Sequence, residues 1–291
     1  MNRSEFRFAE RLRVRWAEVD LQQIVFNGHY LLYVDTAMAG YWRTLALPYQ
    51  DTFAALGGDL FVRKATVEFH APAHYDDLLE IGLRLAHVGT TSLRFSAGVF
   101  HEHRLLVSAE LVYVYADPAT KTPTGLPEAL VGPMKAFEAG EAMVRVETGS
   151  WAALGARAQP VRTAVFVQEQ GISAALEYDD ADAGAVHAIA VNRLGRTLAT
   201  GRLLQTGVAG SSKIGRMAVE RAVRGSRVGR QVLDALVAAA RARGDREVVL
   251  HAQTSAAGFY ERAGFRARGP GFEEAGIPHV EMVRALSDPA A

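Results

Sequence analysis

Apolar and charged positions alternate over residues 6 to 16, "FRFAERLRVRW", with Phe6, Phe8 and Leu12 set among arginines and glutamates, and the pattern predicts an opening strand. The stretch "GHYLLYVDTAMAGYWRTL" then changes period. Tyr30, Leu31, Val34, Met38, Tyr41 and Trp42 form one broad apolar face, and a helix so widely apolar is a buried one. Four extended segments follow, "LFVRKATVEFH", "LLEIGLRLAHV", "TSLRFSAGVFHE" and "LLVSAELVYVYAD", separated by turns such as "APAHYDD" and "HVGTT". One helix followed by consecutive long strands predicts an antiparallel sheet curled around that helix, an α+β arrangement.

Proline and glycine in "ADPATKTPTGLP" end the strand run, and "GPMKAFEAGEA" reads as a linker. The predicted domains are therefore 1–132 and 144–291, joined by 133–143. The second half alternates its elements: a strand "AMVRVETG", a helix over 152 to 170, paired strands "VHAIAVN" and "TLATGRLLQTG", and a further strand "IGRMAVE". A helix "GRQVLDALVAAARARG", a buried strand "EVVLHA", a helix around "AAGFYERAG" and final strands complete it. This is an α/β domain.

Composition narrows the chemistry. A chain of 291 residues is long for one domain and suits two. Its 32 basic and 32 acidic residues cancel, so bulk charge argues for neither nucleic acid nor membrane as partner. With no cysteine there is no disulfide, thiolate zinc site or cysteine nucleophile. His101 and His103 share a predicted strand face without a third ligand, so no metal is expected. The first residues are too charged for a signal peptide and no apolar run reaches a membrane span; a cytoplasmic protein is expected.

In "KIGRMAVERAVRGSRVGRQVL" a strand, a glycine-containing loop and a long helix succeed one another. Such a junction aims free amides and the positive end of a helix dipole at one spot, where phosphates bind. Arg221, Arg224, Arg227 and Arg230 add charge. "RGSRVGRQVL" resembles the pyrophosphate loop of the GNAT N-acetyltransferases, with Arg224 and Gly229 in place and Arg227 at the first glycine position, acceptable there if its φ is helical. "VFVQEQGI", "GRMAV", "LHAQ", "FYERAGF" and "EAGIPHVEM" extend the resemblance over 144–285. It implies a mixed, splayed sheet that binds acetyl-CoA. Backbone groups of Met217 and Val219 would meet the pantetheine, and the loop from Arg224 and Gly225 through Arg227, Gly229 and Arg230 the pyrophosphate. Tyr260 would be the general acid toward the CoA thiolate. Glu169, His251 and His279 are candidate bases. "VFVQEQGI" with "EYDDAD" is also similar to the acyl-homoserine lactone synthases, which would make Glu177, Asp180 or Asp182 substrate carboxylates in place of a solvated acidic turn.

"VDLQQIVFNGHYLLYVD" resembles the active-site segment of the 4-hydroxybenzoyl-CoA thioesterase-like hydrolases of the hotdog fold. Asp20, Ile24, Val25, Phe26 and Tyr30 fit, Gln23 replaces the family's glycine, and Asn27 stands where His or Asn is common. "VEFHAPAHYDDLLEI" and "YVYADPATKTPTGLP" extend the match over roughly 8 to 128. Thioester hydrolysis needs a carboxylate to attack the carbonyl or activate water, and donors for the oxyanion. The resemblance implies Asp20 as that carboxylate and the amides of Asn27 and Gly28, at the helix start, as those donors. His29 would touch solvent or ligand.

Both halves thus point to acyl-CoA. The expectation is a bifunctional enzyme, a hotdog thioesterase fused to a GNAT acetyltransferase acting on an amine, assembled as a homodimer or homotetramer through the first domain. The alternative is that one or both domains bind CoA or oligomerise without turnover.

Overall fold

The computed structural model describes residues 1–286, which form two compact units meeting between Met143 and Val144. The first contains β1 (Phe8–Arg13), α1 (His29–Thr44), α2 (Tyr49–Leu56), β2 (Asp59–Phe69), β3 (Leu78–Val88), β4 (Ser92–His101), β5 (Arg104–Ala116) and α3 (Glu128–Glu138). Its sheet is antiparallel throughout, in the order β1-β3-β4-β5-β2.

The apolar face of α1 explains the wrap. Tyr30, Tyr33, Val34, Ala37, Met38, Tyr41 and Trp42 are all buried. Tyr41 has no exposed surface and meets Phe8, Trp42, Phe95 and Phe137 edge to face at 5.6 to 6.0 Å, the arrangement aromatic quadrupoles favour. Gly40 lets β1 approach, because a Cβ there would collide with Glu10 and the Phe8 ring. This is the sheet around a central helix that the hotdog resemblance implies. At the sheet edge, β2 leaves Val62 and Phe69 exposed.

The supposed linker is a correction. Residues 133–138 continue α3, whose Leu130, Val131, Met134 and Phe137 are buried in the first unit. Pro133 removes one helical hydrogen bond, but burial of that apolar face outweighs the loss.

The second unit contains β6 (Val144–Gly149), α4 (Trp151–Arg162), which continues as a π-helical segment Thr163–Glu169, α5 (Ala174–Glu177), α6 (Ala181–Gly184), β7 (Val186–Asn192), β8 (Thr197–Gln205), β9 (Ser211–Val219) and α7 (Val228–Ala242). After these come β10 (Glu247–Gln253), α8 (Ala257–Glu261), β11 (Arg266–Ala267), β12 (Phe272–Glu274) and β13 (Ile277–Ala285). The sheet runs β11-β13-β10-β9-β8-β7-β6, with β12 paired to β13. Among the described residues only β9 and β10 are parallel, so the sheet is mixed. α7 buries Val228, Val232, Leu233, Leu236 and Val237 along one stripe. No helix among the described residues is long and apolar enough to cross a membrane.

Candidate functional site

In the first unit the chain doubles back between β1 and α1. Val19 bridges Val25, the Asp20 amide donates to the Ile24 carbonyl at 2.9 Å, and the Phe26 amide donates to the Glu18 carbonyl at 3.0 Å. The turn at the tip needs a left-handed residue, and Gln23 supplies it at φ 61, the conformation for which glycine is preferred. Asp20 Oδ1 accepts the Gln22 amide at 2.8 Å, an Asx turn that fixes the carboxylate. Asp20 is thus at the tip of the loop, and Glu18 is the residue level with Phe26. Past Phe26, the amides of Asn27 and Gly28 have no acceptor among the described residues, and Gly28 precedes α1 without a side-chain cap.

Glu18 is the buried carboxylate that the sequence did not single out. It accepts the Arg15 amide and Nε, both at 2.7 Å, and the Tyr33 hydroxyl at 2.8 Å. Burial pushes this carboxyl up, but the Arg15 amide and guanidinium and the Tyr33 hydroxyl outweigh it and hold it below the usual range. The signal was available: an acid between Ala17 and Val19 with a tyrosine one helical turn into α1. His29 begins α1 with Nδ1 buried and without a hydrogen-bond partner among the described residues. His103 is not on a strand face with His101; it lies in the β4–β5 turn at φ 69, because Glu102 and His103 make the hairpin connection. Among the described residues no cluster of three or more metal-binding side chains occurs.

In the second unit β9 and β10 pair from Ser211–Glu247 to Ile214–Leu250 and then part. Beyond that point Arg216 takes φ 51, and the β8–β9 register slips between Thr200 and Arg202. The bulge leaves Met217 on the wall of a cavity of about 510 Å³. The quoted motifs converge there. Gln170 of "VFVQEQGI" accepts from Gln253 of "LHAQ" at 3.1 Å, and His251 of "LHAQ" meets Glu274 of "EAGIPHVEM" at 2.8 Å. Tyr260 lines the same cavity, 9 % exposed, its hydroxyl without a hydrogen-bond partner among the described residues. Burial pushes its phenol up to about 12, so it stays protonated at neutral pH.

At the mouth of α7, Arg227 caps the helix at φ 67. A helical φ was the condition for a non-glycine residue there; the structure instead places Arg227 in the left-handed region, the turn that brings the loop onto the helix axis. Gly225 has φ 90. A Cβ on Gly229 would lie 2.8 Å from Val219, so only glycine lets the helix start pack on β9. The amides of Arg227, Gly229 and Arg230 have no acceptor among the described residues. The arginines differ in their commitments. Arg224 pairs with Glu169 through both Nη atoms and donates Nε to the Val219 carbonyl at 3.0 Å. Arg230 pairs with Asp234 and the Arg262 carbonyl. Glu169, a candidate base, is held below the usual carboxylate range by Arg224.

"EYDDAD" is not a solvated turn. Glu177 and Asp182 are buried on Arg162, itself 1 % exposed, at 2.5 and 2.9 Å, and Arg202 bridges Asp182 and Asp179. Two arginines from α4 and β8 make Glu177 and Asp182 internal; Asp179 and Asp180 stay on the surface. Glu177 and Asp179 nonetheless border the cavity.

Comparison with known proteins follows the same division. Residues 22–108 match the family model described as Thioesterase superfamily, beginning two positions after Asp20, and residues 158–286 match Acetyltransferase (GNAT) domain. The chain is 32% identical over 136 residues to Acyl-CoA thioester hydrolase YbgC of Escherichia coli O157:H7, covering 46% of this chain and 99% of that one. A Bacillus subtilis (strain 168) protein provisionally named an acetyltransferase is 35% identical over 126 residues, covering 43% of this chain and 84% of the relative. A crystal structure from Lactobacillus plantarum, provisionally titled an N-acetyltransferase, aligns with 32% identity and TM-score 0.47, covering 50% of this chain and 100% of that one. The chain therefore belongs to two families at once, its first unit a Thioesterase superfamily hotdog domain and its second a GNAT acetyltransferase domain.

Proposed function

We propose that the chain is a bifunctional acyl-CoA enzyme: its first unit hydrolyses an acyl-CoA thioester, and its second transfers acetyl from acetyl-CoA to an amine. The observation that carries the reading is the parting of β9 and β10 above a loop whose amides lack acceptors, in a chain whose other unit resembles an acyl-CoA hydrolase.

In the second unit the opened strand offers backbone groups of Met217 and Val219 to a pantetheine arm. The Val219 carbonyl is occupied by Arg224, which leaves the amide side for ligand. Gly225 and the amides of Arg227, Gly229 and Arg230 hold the pyrophosphate at the helix start, where the dipole favours anions. The exposed Arg227 guanidinium adds charge, whereas Arg224 serves the loop by anchoring it. Tyr260, kept neutral by burial, donates its proton to the departing thiolate.

In the first unit Asp20, oriented by the Gln22 amide, is the carboxylate that attacks the thioester or activates water. The amides of Asn27 and Gly28 polarise the carbonyl oxygen at the start of α1. The first unit is also the natural assembly surface, through its exposed β2 edge. The Asx turn at Asp20 favours one competing reading, in which this unit binds acyl-CoA without hydrolysing it.

Calorimetric titration of the full chain with CoA tests the dual reading. It predicts two CoA molecules per chain; a single site would remove one half from acyl-CoA chemistry.

A further inference from the structure

We propose that His251 is the base that takes the proton from the acceptor amine, with Glu274 as its positioning residue; this rests on the acetyltransferase reading of the second unit. Both side chains line the cavity that holds Tyr260. His251 Nδ1 lies 2.8 Å from Glu274 Oε2. An ionised carboxylate only accepts, so Nδ1 carries the hydrogen and Nε2 keeps its lone pair. The Phe272 ring, 4.8 Å away and edge to face, fixes the imidazole plane from the side of β12.

The charged groups around the ring come from three strands. Lys213 on β9 places Nζ 3.2 and 3.4 Å from the two ring nitrogens, near-equal distances that an in-plane hydrogen bond to either one does not give. Glu274 is on β12. On β13, Glu281 reaches within 4.0 Å of Nε2 while bound to Arg268, and His279 stacks on Phe272. Burial lowers the Lys213 ammonium, and burial of Glu274 is outweighed by His251 and Lys213, so that carboxyl lies below its ordinary range.

The other candidates are less suited. Glu169 is locked to Arg224. His279 gives Nδ1 to the Ile277 carbonyl at 2.7 Å. That bond also fixes a tautomer, but a neutral carbonyl stabilises the imidazolium less than the Glu274 carboxylate does.

The step balances as follows. The acceptor enters as an ammonium, and Nε2 of His251 takes one proton. The freed electron pair forms the C–N bond at the acetyl carbonyl carbon, and the C–S bond breaks. The thiolate takes the Tyr260 proton, the second proton of the amide nitrogen restores Tyr260, and His251 returns its proton to water. The products are amide, CoA thiol and one proton.

Two measurements on the full chain test this. In the first, acetyl-CoA is offered with benzylamine, spermidine or lysine, and the acetylated amine is quantified by mass spectrometry. His251→Gln is expected to lose about 10²–10⁴-fold in kcat, the usual range for a general base, with KM for acetyl-CoA held. Its acidic limb in the pH profile should vanish, and the deficit should shrink with hydroxylamine, which is already unprotonated at neutral pH. Glu274→Gln should show a smaller loss of the same kind. A wild-type chain that acetylates none of these amines overturns the acetyltransferase reading and this inference together. A chain whose His251→Gln variant matches wild type, or whose acidic limb belongs to His279 instead, overturns the inference alone. The second measurement needs no turnover: ¹⁵N-histidine NMR, assigned by the signal missing from His251→Gln, should show the Nδ1–H tautomer. The Nε2–H tautomer would overturn the assignment.

Discussion

Arg224 and Glu169, distant in sequence, form a two-pronged ion pair, Nη1 to Oε1 at 2.6 Å and Nη2 to Oε2 at 2.7 Å. The pair ties the end of the π-helical segment to the loop that opens α7, and the remaining Nε anchors the loop to the Val219 carbonyl. Neither residue is then free for the task its motif suggests, phosphate binding for the arginine and proton abstraction for the glutamate. Both shape the loop.

Loosening that tie should be felt in ligand binding more than in folding. The pair is partly exposed, and such pairs contribute less than about 1 kcal/mol to stability. Arg224→Lys loses the fork, and the CoA dissociation constant should rise roughly three- to tenfold, since a bidentate clamp is replaced by a point charge. Calorimetry and urea unfolding of the same variant separate the two effects.

Gln23 and Arg227 each occupy a left-handed position that a side chain disfavours by about 1–2 kcal/mol. Gln23→Gly should be neutral or stabilising by up to about 1 kcal/mol, while Gln23→Val, with a β-branched side chain at positive φ, should destabilise by more than about 1 kcal/mol. The urea midpoints of the two variants measure the difference; equal midpoints would contradict the turn geometry.

Tyr260 gives a prediction in pH. Burial raises its phenol from 10.0 to about 12, so the folded chain holds that proton more tightly than the unfolded one. The associated stability is complete below about pH 10 and is lost as pH rises through about 12. The phenolate absorbance of wild type minus Tyr260→Phe should therefore show one group titrating near 12. Titration at the ordinary value would mean an exposed hydroxyl.

Arg162 holds two buried acids at once. Arg162→Met leaves Glu177 and Asp182 without their main partner in a buried site, which should cost about 3–5 kcal/mol in urea unfolding of the second unit. A change within about 0.5 kcal/mol would show that the acids find solvent instead.

What could be read along the chain was what local pattern determines. The apolar circumference of residues 28–45 announced a buried helix, and the alternating segments after it a sheet. The segment around Gly229 announced a strand, a glycine-containing loop and a helix, and the first amides of that helix lack acceptors among the described residues. The unread part depends on partners far apart in sequence. "EYDDAD" looks solvated until Arg162 and Arg202 arrive from α4 and β8. Arg224 looks available until Glu169 meets it. Residues 133–138 carry the punctuation of a linker, and only their burial against the first sheet makes them helix. Glu18 reads as one charge among several, because its partners, Arg15 and Tyr33, converge only once the chain folds back before α1.

If two separate acyl-CoA chemistries share one chain, a crossed pair of variants separates them. CoA release from a panel of acyl-CoAs, without amine, can be followed with a thiol reagent, because the chain has no cysteine to add background. Acetyl transfer to an amine is followed separately by product mass. Asp20→Asn is expected to abolish thioester hydrolysis and spare acetyl transfer, whereas Tyr260→Phe is expected to cut acetyl transfer and spare hydrolysis. Hydrolysis undiminished in Asp20→Asn, or no hydrolysis of any acyl-CoA by the wild-type chain, would contradict the dual reading.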